Sequence, residues 1–106
     1  MDMYVYILTN ASKSSLYVGV TSNLVQRVWK HKTEFYDGSY TSKYHINQLM
    51  YYEVYAKPEQ AIIREKQLKL FRRQKKINLI SKFNPTWRDL YEDICKCFPV
   101  ILGEMQ

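Results

Sequence analysis

The hydrophobic pattern opens on an unbroken run. Residues 4–9, YVYILT, are β-branched and aromatic and predict a strand. A polar stretch, Asn10 to Ser15, reads as a turn or short loop. Residues 16–20, LYVGV, predict a second strand, and so short a polar connection predicts an antiparallel hairpin. Asn23 followed three residues later by Gln26 resembles a capping box, so a helix is expected from about 24 to 34. Residues 36–47 carry Gly38 among polar and aromatic residues and read as a loop. Residues 48–55, QLMYYEVY, predict a third strand.

Pro58 stands where helices commonly begin, and a helix is expected over about 58–71. A second, short helix should carry Ile77, Leu79 and Ile80. Asn84-Pro85 should end it, because proline disfavours a helical residue before it. A last amphipathic stretch is expected from Trp87 to Cys97. The order β-β-α-β-α-α predicts an α/β (α+β) domain, a small three-stranded antiparallel sheet flanked by helices. Residues 1–95 are expected to form this single domain, with 96–106 as a C-terminal tail.

Charge changes the picture. Of 106 residues, 16 are Lys or Arg and 10 are Asp or Glu, a net charge of +6 that favours a polyanionic partner. The excess is localised: residues 57–82 hold nine basic side chains against Glu59 and Glu65, whereas 87–106 hold two basic and four acidic. Lys66, Lys69, Arg72, Arg73, Lys75 and Lys76 are the candidates for following a phosphate backbone, although a solvated helix face has the same composition. Cys95 and Cys97 are spaced too closely for a zinc pair and no second pair completes a site, so reduced thiols of a cytoplasmic protein are expected. No signal peptide is expected, and no stretch reaches the roughly 20 apolar residues of a membrane span.

Three features break the packing pattern. On the helix after Pro58, positions 61, 62, 65 and 68 share a face, and the fourth residue among Ala61, Ile62 and Leu68 is Glu65. A carboxylate there needs a partner, either one of the many basic side chains or a metal. Arg27 and His31 are four apart, at the edge of the Leu24/Val28 stripe. A planar guanidinium suits phosphate oxygens and an imidazole can move a proton, but a solvated helix face also fits. Tyr4 and Tyr6 share one sheet face, with Tyr17 on the neighbouring strand. Tyrosines so placed serve either packing or chemistry.

Together these features resemble the GIY-YIG nuclease superfamily. Tyr4-Val5-Tyr6, ten residues, Tyr17-Val18-Gly19, then Arg27 and His31 on a helix are similar to its N-terminal half, in the stretch YVYILTN…LYVGVTSNLVQRVWKHK. EQAIIREKQLKLFRRQKKINLI resembles its later, glutamate-bearing helix. The tail NPTWRDLYEDI is similar to the small single-domain branch, which itself resembles the nuclease module of the bacterial excision-repair nuclease. The resemblance covers residues 3 to about 94. The glycine and isoleucine of the first tripeptide are replaced by Tyr4 and Val5.

The resemblance implies a metal-dependent endonuclease that hydrolyses DNA phosphodiesters, with structure rather than sequence specificity and a setting in repair or recombination. RNA stays open as a substrate. A non-catalytic nucleic-acid-binding module that keeps the fold is the alternative. One divalent ion, Mg²⁺ or Mn²⁺, is implied on Glu65. Arg27 is implied to hold the scissile phosphate, Tyr17 to act as general base, Tyr6 to help position the nucleophile, and His31 to relay a proton or orient Tyr17. Gly19 is implied to lie where a side chain would crowd the site. Asn78, with Asn84 as alternative, is expected to supply the family's asparagine. The segment 36–47, with Tyr40, Lys43, Tyr44 and His45, is expected to border the site.

Overall fold

A computed structural model describes residues 1–33 and 38–97. Three strands form an antiparallel sheet in the order β2-β1-β3: β1 is Met3–Thr9, β2 Leu16–Thr21 and β3 Gln48–Tyr55. The helices are α1 (Leu24–Lys32), α2 (Tyr40–Lys43), α3 (Pro58–Leu70), α4 (Arg73–Phe83) and α5 (Tyr91–Cys97). The expected class and order hold, with the one-turn α2 inserted before β3 and α5 placed after α4. The last helix runs to Cys97, two residues past the expected domain boundary, and the rest of the expected tail, 98–106, lies outside the described residues.

The continuous hydrophobic run of β1 is explained by its central place, where both faces are covered. Alternation sends Tyr4, Tyr6 and Leu8 to one face, where they pack with Leu24, Val25 and Val28 of α1 and Ile94 of α5. Val5 and Ile7 point the other way, against Ala61 and Leu68 of α3 and Ile80 of α4. Each large side chain fully buried in these layers contributes about 1.5–3 kcal/mol by leaving water.

The boundaries follow from local chemistry. Asn10 closes the hairpin by accepting hydrogen bonds at Oδ1 from Ser14 N (2.9 Å) and Ser15 N (3.1 Å). Asn23 caps α1 by accepting from Gln26 N at 3.1 Å, one half of the expected capping box. Pro58 opens α3, and Asn84 stands at the C-cap of α4 before Pro85. Asp89 ties α5 back to the sheet edge: its Oδ1 accepts from Leu49 N and Tyr91 N, both at 3.0 Å, and its Oδ2 pairs with Lys32 of α1.

One face differs from expectation. Ala61 and Leu68 are fully buried, but Ile62 is 42% exposed. The apolar stripe of α3 is narrower than the sequence suggests, with Ile62 beyond one flank and Arg64 on the other. That side chain donates to Glu53 of β3 through Nε (2.9 Å) and Nη2 (3.1 Å). Glu53 also accepts from Tyr55 at 2.7 Å and from Tyr51. The Arg64 guanidinium and the tyrosine hydroxyls outweigh partial burial and hold the Glu53 carboxyl below its ordinary range.

Candidate active site

The sheet register builds the first wall. Tyr6 of β1 lies opposite Gly19 of β2, and Leu8 opposite Tyr17. A Cβ on Gly19 would stand 2.5 Å from Tyr6 Cζ, so the buried Tyr6 ring occupies space that only glycine leaves. Tyr17, on the same sheet face as Tyr6, has its ring centroid 6.5 Å away.

The second wall is α1. Its apolar residues turn inward, which leaves Arg27 and His31, one turn apart, along the edge facing β2 and the 39–41 segment. The His31 ring lies 5.8 Å from Tyr17 and 6.4 Å from Tyr6. Tyr17, Arg27 and His31, together with Ser39, Tyr40 and Thr41, line a cavity of about 360 Å³. That volume lies in the range of small-molecule and reacting-group sites. At neutral pH, Arg27 is the one formally charged side chain among these lining residues, and most of the others are hydroxyls.

His31 is 7% exposed and shares a hydrogen bond between Nδ1 and Thr41 Oγ1 at 3.0 Å. Burial, helped by the nearby Arg27 charge, lowers its pKa to about 4. The imidazole is therefore neutral at pH 7. A histidine whose folded pKa lies below its unfolded value binds fewer protons folded than unfolded between about pH 4 and 6.5. Stability is therefore full above pH 6.5 and falls as pH drops towards 4. The expected loss is about 2 kcal/mol, since solvent at the cavity mouth screens part of the full difference. Urea midpoints at pH 7 and pH 4.5 measure it, and His31→Gln should flatten the pH dependence. An unchanged slope in that variant would place the titration elsewhere.

Glu65 is not brought to this cavity lining. It lies between Ala61 and Leu68 on α3, the helix that covers the opposite sheet face, and its side chain is 15% exposed. Lys69 Nζ pairs with it at 3.3 Å. The basic partner weighed from the sequence thus exists, but an i,i+4 pair with a half-exposed lysine contributes only about 0.3–0.5 kcal/mol. Among the described residues no three His, Cys, Asp or Glu side chains gather as a metal cluster, and Cys95 and Cys97 are free thiols.

Neither asparagine lines the cavity. Asn78 is exposed on α4, accepts from Gln74 Nε2 at 2.9 Å and borders a separate depression with Phe71, Arg72 and Lys75. Asn84 is buried and structural, donating from Nδ2 to Arg88 O at 2.7 Å and to Met50 O at 3.3 Å.

The six basic candidates also lie outside the cavity lining. Lys69 pairs with Glu65. Arg73 donates to Lys13 O of the hairpin turn at 3.2 Å. Lys75 lies 3.9 Å from the Phe71 ring centroid. Lys76 has its pKa lowered by partial burial and by Arg73, whereas Lys66 and Arg72 are exposed.

Sequence reasoning named Tyr40 as a border residue but missed Ser39 and Thr41. A faint signal existed: Ser39 is an N-cap residue, accepting from Ser42 N at 3.2 Å, and so announces α2. Nothing local announced that Thr41 would meet His31.

A family model described as the GIY-YIG catalytic domain matches residues 2–78, most of the chain and every residue of the cavity. The chain belongs to the GIY-YIG family. It is similar to small GIY-YIG proteins named UPF0213: one from Staphylococcus saprophyticus and one from Staphylococcus aureus are each 33% identical over 82 residues, covering 77% of this chain and 99% of theirs. The solution structure of a UPF0213 protein from Bacillus halodurans is 31% identical, covers 76% of this chain and 84% of that one, and has a TM-score of 0.48. Within the GIY-YIG domain, Tyr6, Tyr17, Gly19, Arg27 and His31 converge on one sheet face. The domain is of the nuclease type. No helix among the described residues is long and apolar enough to cross a membrane.

Proposed function

We propose that this protein is a divalent-metal-dependent endonuclease that hydrolyses phosphodiester bonds in DNA, selecting structure rather than sequence, in repair or recombination. One observation carries the reading. Among its described lining residues the cavity sets one permanent positive charge, Arg27, among the hydroxyls of Tyr17, Ser39, Tyr40 and Thr41, with a neutral imidazole beside it. That lining matches one anionic, oxygen-rich group better than an apolar ligand or a dication.

In this reading Arg27 holds the non-bridging oxygens of the scissile phosphate through its planar fork and offsets the charge that grows in the transition state. Tyr17 is the acid–base group, taking the proton of the attacking water directly or through a second water. Tyr6, wedged over Gly19, fixes the position of Tyr17. His31, uncharged and tied to Thr41, orients Tyr17 without competing with Arg27 for the phosphate. The basic side chains of α3 and α4 draw the polyanion in from solution.

The donor chemistry of Glu65 fits a hard divalent cation. It is a carboxylate on an ordered helix, and a site with one protein ligand leaves the remaining positions to water and phosphate oxygens, as Mg²⁺ and Mn²⁺ prefer. Lys69 pairs with that carboxylate and would give way to a bound cation. Glu65 would be the protein ligand of such a cation, which would supply Lewis-acid chemistry to a phosphodiester.

The experiment is a cleavage screen over nicked, flapped, branched, single-stranded and duplex DNA, with RNA counterparts, in Mg²⁺, Mn²⁺ or chelator. Cutting of at least one DNA structure that depends on the cation is expected. Binding that resists chelation, with no cutting of any substrate, would replace the enzyme with a binding module.

A further inference from the structure

Tyr40 of the cavity lining and Tyr44 beside it are two aromatic rings that the core does not use. Tyr40 is 57% exposed and Tyr44 is 45% exposed. Their centroids are 4.9 Å apart with the planes tilted by 52°. Lys43 lies between them in sequence, and its Nζ is 5.5 Å from the Tyr44 ring centroid. Large rings left in water forgo the burial that stabilises most tyrosines, so packing does not explain this pair.

The pair is nevertheless held firmly against the site. Thr41, next to Tyr40, is buried and bonded to His31, and Ser39 Oγ lies 3.2 Å from Thr41 Oγ1. Ile46, fully buried, closes the segment with a bond from its N to Thr41 O at 2.8 Å. Tyr40 itself lines the cavity beside Arg27. An exposed ring is thus fixed next to the group that would grip a phosphate. Nucleobases stack on such rings whatever their identity, and a base is available for stacking only when it is unpaired.

We propose that Tyr40, with Tyr44 beside it and Lys43 for the adjoining phosphate, is a stacking platform for an unpaired base next to the scissile phosphodiester. The substrate class is accordingly DNA that carries unpaired nucleotides at the cut, such as flaps, gaps or single strands, and intact duplex is a poor ligand. This deepens the nuclease reading and rests on it for the phosphate in the cavity.

The test uses the full chain in chelator, so that binding is read without cutting. Fluorescence anisotropy compares a 5′-flapped and a gapped duplex with a blunt duplex of the same length. A 2-aminopurine in the unpaired segment reports stacking. The wild type should prefer the flapped and gapped DNA and quench the 2-aminopurine. Tyr40→Ala should lose that preference by about 10- to 100-fold and lose the quenching. Tyr40→Phe, which keeps the ring, should retain both. Equal affinity of the wild type for blunt and flapped DNA, no quenching, or a Tyr40→Ala protein that keeps its preference overturns the platform. Absence of DNA binding overturns it as well. Cleavage in Mg²⁺, measured separately, decides the nuclease reading. Cutting without preference for unpaired nucleotides removes the platform alone, and quenching without cutting removes the nuclease alone.

Discussion

Arg27→Ala should reduce single-turnover cleavage of DNA by about 100- to 1,000-fold while the protein stays folded, the loss typical of removing one preorganised donor from developing negative charge. The side chain is half-buried at the helix edge rather than in the core, so its removal leaves the packing of Leu24, Val25 and Val28 in place. An independent readout accompanies the kinetic one. The Arg27 charge helps to hold the His31 pKa down, second to burial. In Arg27→Ala that pKa should therefore rise, which an NMR titration of the imidazole measures. Arg27→Lys keeps a charge but not the planar fork, and should fall between the two. Undiminished cleavage by Arg27→Ala would falsify the assignment of the cavity as a phosphate site.

Glu65→Gln should be the other severe variant, and it separates the two roles open to this carboxylate. The substitution keeps the shape of the side chain and removes the charge. If Glu65 serves only Lys69, the expected change is a stability loss of about 0.3–0.5 kcal/mol with normal cleavage. If Glu65 holds the cation, stability changes as little, but cleavage falls several hundred-fold or more, since a Lewis acid supplies several kcal/mol of transition-state stabilisation. The second outcome is expected. The cation concentration for half-maximal cleavage should also rise, which loss of a surface ion pair alone does not produce.

Much of the fold was legible because it is local. β3 falls at 48–55 as the run QLMYYEVY indicates, Pro58 opens α3, and Asn84-Pro85 stops α4. The unbroken run of β1 marked it as a strand, and its central place in the sheet came from the structure. Features that depend on long-range contacts stayed hidden. Helix α2 is a single turn, too short for a hydrophobic period, and its importance comes from Thr41 meeting His31 ten residues earlier. The pairing of Arg64 with Glu53 joins two elements, which no spacing within α3 reveals.

The site was legible in a similar, uneven way. Tyr6, Tyr17, Gly19, Arg27 and His31 sit in two short segments whose geometry is fixed by a hairpin and the helix after it, and they converge. Glu65 and Asn78 come from helices on the other side of the sheet, where sequence spacing specifies the helix face but not what that face approaches. The same holds for the basic run, which is real as a cluster of charge but stands apart from the cavity lining.

The most direct test of the account is the single-turnover rate of DNA cleavage in Mg²⁺ by the wild type and by Tyr17→Phe. The variant keeps the ring that packs beside Tyr6 and His31 and loses only the hydroxyl. The wild type should cut, and Tyr17→Phe should be slower by at least about 100-fold at equal DNA affinity, the scale of acid–base catalysis. Equal rates for the two proteins, or a wild type that binds DNA in chelator and never cuts it, would contradict it.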